Sequence, residues 1–85
     1  MAERQVTVES EVGLHARPAA TFVQTAAKAP ADITVAKGGG RPVNAKSILA
    51  VLSLDVRQGD TVVIKAEGDG ADEIVDQLAT IASAP

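Results

Sequence analysis

The run Gly13-Leu14-His15-Ala16-Arg17-Pro18-Ala19 holds the only histidine of this 85-residue chain, with an arginine two places on and a proline one further. Beyond it, Ala19, Phe22, Val23 and Ala26 recur at helical spacing, while Thr21, Gln24, Thr25 and Lys28 face elsewhere. Pro18 suits a first helical turn, where its fixed φ fits and its missing N–H costs nothing. The imidazole of His15 is therefore expected at or beside the N-cap, with the free backbone N–H groups of Ala16 and Arg17 near it. The positive end of the helix and Arg17 each disfavour a protonated ring, by about 0.3–1 kcal/mol, so the imidazole is mostly neutral near pH 7. A neutral ring has a lone pair and can act as a nucleophile. The same surroundings favour an anion once it arrives, because helix N-termini bind phosphate and a guanidinium adds charge-assisted bonds. The chemistry indicated is phosphoryl acceptance on His15, with Arg17 holding the group. A P–N bond solvated by a few donors, with no metal or general base beside it, suits storage and handover better than hydrolysis. Each residue has a plainer reading alone: a surface histidine, a solvated arginine, a turn glycine, a helix-starting proline. Their combination within a few positions is what points to phosphoryl chemistry.

Composition removes the competing classes. Zero cysteines exclude disulfides, thiolate metal sites and thiol catalysis, and one histidine excludes a multi-histidine metal cluster. No cofactor and no metal are expected. Phe22 is the only aromatic residue, which leaves no base-stacking platform, and a net charge of −3 argues against a phosphate-backbone footprint. Nucleic acid is therefore not an expected partner. The charged opening Met-Ala-Glu-Arg-Gln carries no signal-peptide core, and no apolar run has the length of a membrane span, so a cytoplasmic location without membrane insertion is expected. The length suits one domain over residues 1–85. Area scaling puts its folded surface at about 4,700 Å², enough to bury roughly 60% of what the unfolded chain exposes.

The elements that must position the site follow from periodicity. Val6 and Val8 alternate with polar neighbours over about residues 3–9, Ile33 and Val35 over 32–37, and Val62, Ile64 and Ala66 over 61–67, each predicting a half-buried strand. Residues 10–15 read as a loop bending at Gly13. Pro30 ends the first helix. Gly38-Gly39-Gly40 gives a turn, and Arg41 to Val43 a short edge strand, since Pro42 cannot donate to a ladder. Ser47 stands as an N-cap before the apolar helix of Ile48, Leu49, Val51 and Leu52. Ala71, Ile74, Val75, Leu78, Ile81 and Ala82 form the stripe of a last helix, with Asp72 and Glu73 in its first turn. The order β-α-β-β-α-β-α with alternating strands implies an α+β, open-faced two-layer sandwich, its helices covering one face of an antiparallel sheet.

Gly13-Leu14-His15-Ala16-Arg17-Pro18-Ala19 together with Val43-Asn44-Ala45-Lys46-Ser47-Ile48-Leu49 resembles the histidine-containing phosphocarrier family HPr, of the bacterial phosphoenolpyruvate-dependent sugar phosphotransferase system. The resemblance spans essentially the whole chain. It implies a four-stranded antiparallel sheet with three helices on one face. It implies a non-enzymatic carrier, a monomer by default, that Enzyme I phosphorylates on Nδ1 of His15 and that passes the group to IIA components of sugar permeases. Arg17 matches the arginine that supports the phosphohistidine. Ser47 matches a serine that HPr kinase/phosphorylase modifies in some lineages as a switch of carbon catabolite regulation. Serine is also a preferred N-cap, so the residue has a structural reason to be there in any case.

Ile48, Leu49, Val51, Leu52 and Leu54 are too many apolar residues for one narrow face of a short helix, so some should be exposed. The resemblance sets Ile48, Leu49 and Leu52 beside His15 as partner contacts; Arg17, Lys28 and Lys46 would rim that patch, and Ala20 and Gln24 on the first helix are further interface candidates. Such a rim suits acidic partners. A paralogue serving nitrogen regulation uses the same chemistry. The alternative from another class is a regulatory binding module acting through Ser47 and the apolar patch, but such relatives lack the histidine. The Gly38-Gly39-Gly40-Arg41 turn looks one residue longer than in many relatives, which should alter a distal hairpin only.

Overall fold

The structure is a computed structural model describing residues 1–9 and 16–84; the side chains of Ala16 and Arg17 lie outside that description, and so does the loop expected over 10–15. The elements are β1 (Ala2–Thr7), α1 (Ala16–Ala27), β2 (Asp32–Lys37), β3 (Val43–Asn44), α2 (Ile48–Ser53), β4 (Thr61–Glu67) and α3 (Ala71–Ser83). The strands form one antiparallel sheet in the order β1-β4-β2-β3, with Val6 opposite Val62, Val35 opposite Ile64 and Thr34 opposite Asn44. The expected order and open-faced architecture are both present.

Alternation sets the two faces of the sheet. Ala2, Val8, Ile33, Val35, Val62, Ile64 and Ala66 point into one apolar core, where they meet Ala19, Phe22 and Ala26 of α1, Val51 of α2 and Ile74, Val75 and Leu78 of α3. Glu3, Gln5, Thr7, Lys65 and Glu67, on the other phase of the pleat, stay exposed. α3 packs on β1 and β4, and α1 contacts α3 and α2. The accessible surface is 4793 Å², close to the value of about 4,700 Å² that chain mass alone requires.

The boundaries differ from the expectations at two strands. β1 stops at Thr7, yet Val8 still donates its N–H to Asp60 O (2.9 Å) and accepts from Gly59 N–H (2.8 Å), so its side chain remains fully buried. β3 is Val43–Asn44, not 41–43, because Pro42 has no amide to pair. Ile81 and Val23 are only half-buried, at the margins of their stripes. Gly68 is required by space and by backbone together: its φ is +125°, and a Cβ there would stand 3.2 Å from Ala31 Cα.

Candidate functional site

α1 begins at Ala16, so the helix opens directly after His15. His15 itself and the Arg17 side chain lie outside the described residues. Pro18 is the third helical residue and half-buried, still within the first turn, where no intrahelical donor is lost. Ala19, Phe22 and Ala26 anchor the inner face of α1 with no residual exposure. On its outer side Ala20 is half-buried, Gln24 is exposed, and Lys28, just past the helix end, is exposed. These three are spaced four apart and share one stripe.

α2 is only six residues long and needs help at both ends. At its start Ser47 is extended (φ −111°, ψ 117°), and its Oγ accepts the N–H of Ala50 at 3.3 Å, as the sequence predicted for an N-cap. The turn before it is held by Asn44, whose Oδ1 accepts Lys46 N–H (2.9 Å) and whose carbonyl accepts Ser47 N–H (3.2 Å). Lys46 reaches back to the turn just past α1: its Nζ donates to Ala29 O at 2.8 Å. Val51 is the buried anchor of α2, whereas Ile48 is 38% and Leu49 77% exposed, and Leu52 is half-buried. The expected surplus of apolar residues on this short helix is therefore exposed at Ile48 and Leu49.

Beyond α2, Asp55 adopts a left-handed conformation (φ +53°), which a short polar side chain tolerates. Its carboxylate accepts Arg57 Nε (3.3 Å) and Nη2 (3.0 Å), and the bonded pair raises the Arg57 pKa above its ordinary value. Asp60 Oδ2 accepts the Arg57 N–H at 2.9 Å, which with Lys37 at 3.3 Å holds the Asp60 carboxyl below its usual range. Gln58 Nε2 donates to Glu9 O at 3.2 Å. This loop thus ties down the chain just before the segment that carries His15. Sequence reasoning missed Asn44, Gln58 and the Lys37-Asp60-Arg57 set. The Asn-x-Lys-Ser turn was detectable as an Asx pattern; Gln58 and Lys37 act over sequence distances that leave no local signal.

Among the described residues no helix is long and apolar enough to cross a membrane, and no group of three His, Asp or Glu is placed to hold a metal ion.

A family model described as "PTS HPr component phosphorylation site" matches residues 2–84. The chain is 44% identical over 81 residues to a phosphocarrier protein HPr of Streptomyces coelicolor, covering 95% of this chain and 87% of that one. It is 42% identical over 78 residues to an HPr-like protein Crh of Halalkalibacterium halodurans, covering 92% of each. It superposes on the crystal structure of a phosphocarrier protein HPr from Bacillus anthracis with a TM-score of 0.91, at 41% identity and covering 96% of each chain.

Proposed function

Since the chain belongs to the HPr family of phosphocarrier proteins, we propose that it accepts a phosphoryl group on His15 from Enzyme I and delivers it to IIA components of sugar permeases. The observation that carries this reading is the start of α1 at Ala16, immediately after the only histidine. The lone pair of the neutral ring forms the P–N bond as the bond from phosphorus to the donor breaks. The first-turn amides of Ala16 and Arg17 and the Arg17 guanidinium then stabilise the phosphate. The protein acts as a covalently cycled single-domain monomer in the cytoplasm.

Ala20 and Gln24 on α1 and Lys28 just past its end, with Lys46, Ile48, Leu49 and Leu52 on and before α2, form the surface that Enzyme I and IIA components share. Exposed Ile48 and Leu49, with half-buried Leu52 on the same short helix, support this, because a contiguous apolar patch left in water marks an interaction surface. Ser47 is the point at which HPr kinase/phosphorylase would act. A phosphate there places close to two negative charges beside the docking surface and repels acidic partner groups.

Incubation with Enzyme I and phosphoenolpyruvate should add one acid-labile, base-stable phosphate, read by intact-mass spectrometry, and His15→Ala should abolish it. A label that persists in the alanine variant, or a wild type that takes none, ends the carrier reading. The similarity to an HPr-like Crh protein favours one second reading, a regulatory module working through Ser47 and the apolar patch alone. It predicts no histidine-bound phosphate in the same experiment.

A further inference from the structure

The turn between β3 and α2 joins the ends of two helices. α1 has no basic residue in its last turn, so nothing within it complements the negative end of its dipole. The end is tightened by Lys28 N–H to Thr25 O (3.3 Å) and Ala29 N–H to Ala26 O (3.2 Å), and the outermost of these residues presents its carbonyl to Lys46. Lys46 Nζ donates to Ala29 O at 2.8 Å, and its side chain is part-buried there. Its own backbone is pinned by Asn44 Oδ1, and the preceding Ala45 is fully buried with its N–H on Ile33 O at 3.0 Å. Ser47, the next residue, caps α2. One ammonium therefore pins the turn that follows α1 from a point fixed to the sheet, two residues before α2 begins.

We propose that Lys46, although it lies on the shared surface, is a positioning residue: it sets the end of α1 against α2, and so the Ala20-Gln24 stripe against Ile48 and Leu49, and serves partners through that geometry instead of through its charge. The inference rests on the carrier reading only for what the two stripes bind. Lys28, exposed at the same end of α1, is the counter-example of a rim charge. A rim charge acts through long-range attraction and is screened by salt, whereas a strut acts through geometry and is not.

The test compares Lys46→Met, Lys46→Arg and Lys28→Met with wild type in two measurements. The first is amide hydrogen exchange of the free protein. Lys46→Met should exchange about tenfold faster at Ala27, Lys28 and Ala29, the factor set by losing a charge-assisted bond. Lys46→Arg, which keeps a donor within reach of Ala29 O, should stay near wild type, as should Lys28→Met. The second is the KM for the carrier in phosphoryl transfer from Enzyme I, at low and high salt. Lys46→Met should raise it about fivefold at both, while the Lys28→Met defect should fade as salt rises. Unchanged exchange in Lys46→Met, an unchanged KM, or a defect that fades with salt like that of Lys28→Met overturns the assignment. A wild type that takes no phosphate fails the carrier reading instead, and leaves the exchange result to decide whether Lys46 braces α1.

Discussion

α3 and α2 lie on the same side of one sheet and meet opposite fates. α3 buries Ala71, Ile74, Val75, Leu78 and Ala82, carries Asp72 and Glu73 at its positive end, and binds Arg4 of β1 through Asp76 at 2.8 Å. It is an amphipathic helix whose apolar side is almost wholly covered. α2 buries Val51 alone, leaves Ile48 and Leu49 in water, and is started by the Asn44-to-Ser47 turn, whose Lys46 also bonds Ala29 O in the turn past α1. The contrast separates two uses of apolar side chains. On α3 they lower the free energy of the folded chain, whereas on α2 Ile48 and Leu49 stay in water, where the proposed function would set them against a second protein.

Substitutions at four positions can break or sharpen that contrast. The largest effect is expected on the α3 side: Leu78→Ala should cost about 2–5 kcal/mol in urea unfolding. Phosphoryl transfer per folded molecule should not change, and a transfer defect beyond the unfolded fraction would show that α3 is not purely structural. Leu49→Ala should do the reverse. Stability should move by less than about 0.5 kcal/mol, while KM for transfer from Enzyme I should rise about tenfold, as for a central contact of an interface. A stability loss comparable to that of Leu78→Ala would place Leu49 in the core and contradict the contrast. Ser47→Ala should cost about 0.5–2 kcal/mol through the lost cap, whereas Ser47→Asp keeps a capping oxygen and should hold stability. If the carrier reading is right, the aspartate should nonetheless slow transfer, and equal rates for the two variants would remove charge as the cause.

The smallest effect concerns acid. Asp60 has a depressed folded-state pKa, first through the Arg57 N–H and then through Lys37. Its contribution to stability is therefore fully present above the unfolded carboxyl value of about 3.9 and is lost as pH falls through the depressed folded value. Asp60→Asn should lower stability slightly at neutral pH and flatten the acid limb of the stability-pH curve. An acid limb identical to that of wild type would show that the Lys37-Asp60-Arg57 set contributes nothing.

The sequence made the fold legible because each element is locally consistent. The period switches from two in β1, β2 and β4 to 3.6 in α1 and α3, and glycine or proline stands at most changes. β3 begins two residues and ends one residue later than the sequence indicates, because a two-residue strand has no period of its own; only the missing amide of Pro42 bounds it. The site was legible in part. Ser47 could be read as a cap from its place before an apolar run, and the exposure of Ile48 and Leu49 from simple crowding. The role of Lys46 could not be read, since its partner is a backbone carbonyl, identical in every residue, and only the folded chain shows which one it meets. Gln58, reaching Glu9 O from a loop 49 positions away, was hidden for the same reason.

All three helices cover one side of the sheet, so the opposite side, polar at Glu3, Gln5, Thr7, Lys65 and Glu67 around the apolar pair Ala36 and Val63, is one that the proposed traffic never touches. The chain also contains no thiol. A single cysteine introduced at exposed Gln5 would therefore be a unique handle, pointing away from the helices. A fluorophore or surface tether attached there could follow successive handovers while leaving the working side unobstructed.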